Sequence, residues 1–494
     1  MLNFAAEINK IDTVMNKSVL TFIFMAFSLN GMAQDTDAQL TRSYQHSAFA
    51  LFNAVAQQET GNVCFSPLSV QMALSMVQNG AAGNTLSQLQ QALGTTGFTN
   101  EEIGQFNAKL SKALTERPAE LVQIIEEEAE WEGLDPQDMC DSYFSRCELA
   151  NALWTRPNVH LYDTFVEALR TYYDAGVDAV WFDTWEGIDK INDWVNERTH
   201  SLIPKLYEEP QSEELAVVLM NALYFKGCWV KPFLLEDTDK GQFLLNDETY
   251  AKVDMMFSRD RFDCAITPSF RTITLYYGAE WDFSMTLFVP LEGTALPPLT
   301  LDDWAAAMKP KYLHINLYMP RFEIEGRYDL IEVLKSLGVT DAFDDRKADF
   351  MKMCEVNRAI GQIYQLSKII INEEGTEASA LTVIEMSDGI DLTKPEDYQD
   401  FKVDRPFYFT IQSRKANTIL FVGRVTQLAG ELGQIDGVKR PTPDPSRDGG
   451  EKAGAVYDLN GRKVNLITSP YPVGEGRTLT RGIFIIDGRK VVVK

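Results

Sequence analysis

The chain has 494 residues, 45% apolar and 11% aromatic, which suffices for a large buried core and excludes a wholly disordered chain. At roughly 100–200 residues per unit, that length predicts about two to four units. Its 71 acids against 46 bases give a net charge of −25, which argues against a nucleic-acid binder and against docking on an anionic membrane surface.

The first feature is the apolar run 19–29 (VLTFIFMAFSL), preceded by Lys17 and followed by Gly31-Met32-Ala33. It is too short to span a bilayer, which takes about 20 residues. The pattern is a secretory signal peptide over 1–33, with Met15 as an alternative start. The mature chain is then expected from Gln34, exported to the cell surface or beyond, with no membrane insertion. Export permits disulfides. Cys140 and Cys147 are the one pair whose spacing suggests a bridge; Cys64, Cys228, Cys264 and Cys354 sit singly and are expected free and buried.

Residues 41–58 carry Tyr44, Ala48, Leu51, Phe52 and Val55 at helical spacing. A short strand, NVCF, follows. Ser66 and Pro67 then open a helix as N-cap and first helical residue. Residues 118–145 hold nine acids and no Lys or Arg, a solvated insertion placed at 118–147. Helices are expected at 164–173 and 188–206. The run 215–225 (LAVVLMNALYF) reads as a central strand buried on both faces. Many strand-like runs follow, so the class is α+β. Residues 431–453 read as a linker, Pro- and Gly-rich from 440 on. Residues 454–494 read as a small β-module with turns at Asn460-Gly461 and Asp487-Gly488.

Dispersed strings then carry a resemblance: FSPLSVQMAL at 65–74, GAAGNTLSQL at 80–89, ANALW at 150–154 and INDWVNERTHSLIPKL at 191–206. MNALYFKGCWVKPF at 220–233, MPRFEIEGRYDL at 319–330, INEEGTEASALT at 371–382, and RPFYF with FVGRV at 405–425 complete the set. In this order, over residues 34–430, the chain resembles the serpins, the serine-protease-inhibitor fold. The resemblance implies three β-sheets, about nine helices and an exposed reactive-centre loop. The tail, VYDLNGRKV and GIFIIDGRKVVVK, resembles the sorting module of type IX secretion cargo, which implies that secretion machinery as a partner.

The chemistry agrees with a protein that is not an enzyme. His46, His160, His200 and His314 stand in no catalytic or ligand spacing, and no metal or other cofactor is implied. The informative segment is 373–389. Glu373 and Glu374 precede the hinge Gly375. Beyond it, Thr376, Ala378, Ala380, Thr382, Ile384 and Met386 alternate onto one uncharged face, while Glu377, Ser379, Leu381, Val383 and Glu385 fall on the other. Such a segment can live in solvent yet slot into a sheet.

The resemblance supplies a mechanism. A target serine or cysteine endopeptidase attacks the loop as a covalent acyl-enzyme, the cut loop inserts as a new strand, and the protease is trapped. It also implies a monomer. Hinge to scissile-bond length places the cut within Met386, Ser387, Asp388, Gly389 and Ile390, centred on Gly389–Ile390; counting back from Pro406 favours Lys394 instead. Ser66, Ser69 and Asn221 match the sheet-opening cluster, where Gln365 replaces the usual His. Arg321 and Glu373 match an ion pair at the loop's base, and Trp229 the aromatic above the sheet. The rival reading is a non-inhibitory relative that binds a partner or is merely cleaved.

Overall fold

The computed structural model describes residues 35–245, 249–291, 295–356, 358–376 and 397–434, with the backbone of four short strands between 456 and 493. Two sheets and the helices between and around them form the body. The six-stranded sheet runs Phe322–Asp329, Gln362–Ile371, Gly375–Thr376, Val217–Cys228, Arg146–Thr155, Gly176–Ala179. The ten-stranded sheet contains the 18-residue strand Thr249–Ile266, which pairs with Asp239–Leu244, Phe270–Tyr276 and Lys311–Pro320. Two of the three expected sheets are thus joined through that one strand.

The apolar run at 215–225 is the strand Val217–Cys228, and both its faces are covered. Val218 and Met220 pack with Ile188, Ile191 and Val195 of the helix Trp185–Arg198 on the outer face. Val217 and Leu219 enter the inner core with Val70, Leu74 and Val77. The inner helix Pro67–Gln78 is buried at every position, and it lies between Val217–Cys228 and Thr418–Val425 of the other sheet. Ser66 caps it, its hydroxyl accepting from Ser69 N, and Pro67 stands first.

Two expectations change, and a third gains detail. The helix at 188–206 ends at Arg198: Thr199 turns its hydroxyl onto Val195 O, and His200 and Ser201 adopt left-handed φ of 49° and 66°. The solvated insertion is itself ordered. It folds as helices Ala119–Glu132 and Pro136–Tyr143, which close a small core of Ile125, Ala129, Met139, Cys140 and Phe144. The bridge between Cys140 and Cys147 does not form, and all six thiols are free and buried. Cys140 faces the insertion's own core, whereas Cys147 lies on the sheet strand Arg146–Thr155 within the main core.

The expected linker also starts later. Glu431–Gln434 pairs antiparallel with Thr249–Lys252, so the body runs four residues past 430. That pairing gives the backbone of Thr249–Lys252 a partner on its second side, the first being Asp239–Leu244. Beyond it, Val456–Tyr457 pairs with Lys463–Val464 and Gly482–Ile486 with Arg489–Val493, two hairpins as the turn dipeptides predict. No described helix is long and apolar enough to cross a membrane.

Thiol titration checks the cysteine assignment. A disulfide-exchange reagent should find almost no reactive thiol in native protein and six after denaturation. A count of four would mean that Cys140 and Cys147 are bridged after all.

Candidate functional site

Strands Gln362–Ile371 and Val217–Cys228 run parallel and are paired only in part. Gln362–Leu366 pairs with Val218–Ala222. Above that point, among the described residues, no ladder joins Ser367–Ile370 to Leu223–Lys226. At the top of the gap the chain turns back and Gly375–Thr376 occupies the space, with Ile371↔Thr376 on one side and Gly375↔Cys228, Thr376↔Gly227 on the other. The sheet therefore holds a wedge-shaped opening with two hinge residues already seated in it. The loop was expected wholly outside the sheet; its first two residues are inside.

Local chemistry explains the seating. Asn372 ends the strand, and its side-chain oxygen accepts from the N–H groups of Glu374 and Gly375, both at 3.0 Å, which turns the chain. Gly375 approaches so closely that a Cβ there would lie 2.0 Å from Gly227 O, a position only glycine fills. Thr376 is 1% exposed, and its hydroxyl shares a hydrogen bond of 2.6 Å with the Tyr277 phenol. Burial pushes the Tyr277 pKa well above its ordinary value, so that hydroxyl stays protonated.

Trp229 fixes the same turn. Its backbone N–H donates to Glu374 O at 2.8 Å and its indole to Asn372 O at 3.0 Å, while its ring stacks on Tyr277 at 4.3 Å. The Phe233 N–H donates to Glu373 O at 2.9 Å. The Glu373 side chain is buried and accepts from Arg321 at 2.5 Å and from the Thr238 hydroxyl at 2.7 Å. Burial alone would raise its pKa; the Arg321 and Thr238 contacts outweigh it and hold the carboxyl below its usual range. Arg321 stands where the chain passes from Lys311–Pro320 in one sheet to Phe322–Asp329 in the other, so the loop's base is tied to the junction of the sheets.

Below the wedge, Asn151, Asn221 and Gln365 sit in register across three strands. Asn221 donates to Asn151, which donates to Tyr173 O at 2.9 Å. Ser69 Oγ, Asn221 Oδ1 and Gln365 Oε1 are buried with no hydrogen-bond partner within the protein. The row stands at the last paired residues, Gln365↔Asn221 and Leu366↔Ala222, where the ladder stops. Gln365 keeps polar atoms there without a titrating group.

The structure thus brings together Arg321, Trp229, Glu373, Glu374, Gly375 and Thr376, and puts Asn221 and Gln365 beneath them. Glu377, Ala378, Ser379 and Ala380, the expected cut at Met386, Ser387, Asp388, Gly389 and Ile390, and Lys394 lie outside the described residues. Two members were missed in the sequence. Asn372, three residues before a glycine, carried a legible turn signal. Tyr277 carried none, because only folding brings it 99 positions along the chain to Thr376.

A family model described as Serpin (serine protease inhibitor) matches residues 42–428. Serpin B10 of Rhinolophus ferrumequinum is 30% identical over 401 residues, covering 78% of this chain and 98% of that one. Among solved structures, the thermophilic serpin tengpin in its native state superposes with a TM-score of 0.67 at 24% identity, over 78% of this chain and 94% of that one. Human thyroxine-binding globulin gives 0.66 at 22% identity, over 80% and 100%.

The ion pair makes a pH-dependent prediction. Glu373 is held below its unfolded pKa, so its pairing stabilises the fold above about pH 4.3 and is lost as pH falls through the folded value. Arg321→Gln should cost about 1–2 kcal/mol at pH 7, less than for a fully buried pair because Arg321 is 40% exposed. Urea unfolding at pH 7 and at pH 3.5 should show the difference shrinking in acid. An equal loss at both would mean that Arg321 acts by packing alone.

Proposed function

Because this chain belongs to the serpin family, we propose that it is a secreted, single-use inhibitor of serine or cysteine endopeptidases that acts by inserting its cut loop into the six-stranded sheet. The observation that carries the reading is the wedge between Gln362–Ile371 and Val217–Cys228, with Gly375 and Thr376 already in it. A strand entering there finds the edges of Ser367–Ile370 and Leu223–Lys226 with no ladder between them. Each backbone hydrogen bond made on entry contributes roughly 1 kcal/mol net, so a strand of several residues stabilises the cut form by several kcal/mol.

The sequence beyond the hinge fits this. The face Thr376, Ala378, Ala380, Thr382, Ile384, Met386 is uncharged, and its acids lie on the other side. In the proposed mechanism the protease nucleophile breaks a peptide bond within Met386 to Ile390, forming an ester or thioester to the loop's new carboxyl end and freeing the amine of the following segment. Insertion then draws the enzyme away before water completes hydrolysis. The signal at 1–33 and the tail at 454–494 are read as export and type IX sorting elements, with that machinery as the second partner. The chain acts as a monomer, since one copy supplies both loop and sheet.

The second reading is a non-inhibitory serpin, a binding protein or a plain protease substrate. Thyroxine-binding globulin shares the fold, so the fold alone does not separate the two. The hinge favours the first reading: in an inhibitor the loop must enter the sheet before the acyl bond is hydrolysed, and Gly375-Thr376 are seated at the point of entry.

Two experiments test the proposal. Incubation with a panel of endopeptidases should give a complex stable in SDS, and sequencing its released fragment should give a new N-terminus at Ile390. Recovery of Pro395 at near-unit stoichiometry would assign the cut to Lys394. Thr376→Arg puts a charge where Thr376 is 1% exposed, at a cost of several kcal/mol. Cleavage should persist in that variant while the covalent complex is lost. A full yield of complex from it, or an unchanged melting midpoint after loop cleavage of the unaltered protein, removes insertion as the mechanism.

A further inference from the structure

The acidic insertion is not accounted for by the inhibitory reading. Its two helices meet the body at few points. Tyr143 O accepts from Ala279 N at 2.8 Å, and Ser145 N donates to the Glu280 carboxylate at 3.1 Å. Where the insertion leaves the helix Asn100–Thr115 and rejoins the sheet, it walls a cavity of about 300 Å³. The opposite walls are two turns of the ten-stranded sheet, at 280–283 and 414–415. That volume lies at the lower end of small-molecule sites.

The lining is sorted by chemistry. Leu114, Phe144 and Phe283 supply apolar surface and belong to the packed cores. Arg117, Arg414 and Lys415 supply positive charge. Both arginines are held in place by neighbours. Arg117 donates to Asp141 at 2.8 Å and lies 5.3 Å over the Phe144 ring, while Arg414 donates to Trp281 O at 3.3 Å and lies 5.1 Å over Tyr276. Ser145 and Glu280 also line the cavity, and the Glu280 carboxyl lies against the Ser145 N–H and hydroxyl. Burial raises the Glu280 pKa, and the contacts from Ser145 oppose that shift.

The remaining acids do not oppose an anion strongly. Asp282 is already taken by the Ser413 hydroxyl at 3.0 and 3.1 Å and by Lys415 N at 2.6 Å. Glu116 stands exposed at the rim. Arg414 and Lys415 at the mouth of this apolar-sided cavity, with Arg117 shared by Asp141 on the facing wall, are the complement of an anionic head on an apolar body. We infer that this cavity is a binding site for a small organic anion with an aromatic or aliphatic body, built by the acidic insertion against the turns at 280–283 and 414–415. Of the insertion's acids, Asp141 pairs with Arg117 at the cavity wall, and most of the others lie on exposed faces.

The test is a fluorescence titration of the full chain with 8-anilinonaphthalene-1-sulfonate, an aromatic sulfonate. The unaltered protein should bind it saturably at one site. The double variant Arg414→Glu/Lys415→Glu, at two exposed positions, should weaken Kd by roughly ten-fold or more, the scale of losing charge-assisted contacts. Ser145→Leu, which fills the cavity without a charge change, should weaken it as well. Lys335→Glu, a surface charge reversal outside the lining that breaks only the pair with Glu332, should leave Kd within about two-fold. Saturable binding that is lost in the first two variants and kept in the third supports the site. No saturable binding, or equal Kd in the unaltered protein and the Arg414→Glu/Lys415→Glu variant, overturns it.

Discussion

Two parallel strands, Gln362–Ile371 and Val217–Cys228, share a ladder for five residues and then part. What parts them is the chain itself, which turns at Asn372 and places Gly375 and Thr376 between them. Everything above that point is arranged around the turn. Trp229 holds its carbonyls, Tyr277 holds its threonine, and Arg321 pairs with its buried glutamate, to which Thr238 also donates. A sheet edge with unmatched backbone groups is ordinarily a liability. Here the edges face one another inside a single sheet, and Gly375 and Thr376 match them at the top.

The wedge is stable because several weak holds act together. The Tyr277–Thr376 contact, the glycine-to-glycine approach of Gly375 on Gly227, and the indole of Trp229 each fix a different atom of the turn. Individually such contacts contribute roughly 1 kcal/mol. Beneath them, the row Asn151, Asn221, Gln365 ends the closed ladder with polar atoms that the protein only partly satisfies. A polar row at that place gives the sheet a defined point at which to stop pairing, where an apolar row would favour closure along the whole length.

The additions to the family body attach at its margins. The insertion after helix Asn100–Thr115 brings its own small core and carries most of its nine acids on exposed faces. The tail begins by pairing Glu431–Gln434 onto Thr249–Lys252, at the end of the long strand that joins the two halves of the ten-stranded sheet. Among the described residues, neither addition pairs with Ser367–Ile370 or Leu223–Lys226 at the wedge, though the insertion rejoins the six-stranded sheet at Arg146.

Periodicity and composition alone determined a good deal. The helix from Pro67, the strand buried on both faces at 215–225, the α+β class and the hairpins of the tail follow from local patterns that tertiary contacts then reinforce. The hinge was legible too, because a glycine followed by alternating small residues is a one-dimensional signal. The ion pair of Arg321 with Glu373 was legible only through family resemblance, since 52 residues separate them. Folding alone decided the rest. That Thr376 is already inside the sheet depends on Tyr277, which reaches it across 99 positions. That Cys140 and Cys147 stay apart depends on which core each faces, and seven residues of spacing carry no such information. Local sequence fixes what a segment can become; where its backbone finds unmatched partners is a property of the assembled sheet, and the wedge is set there.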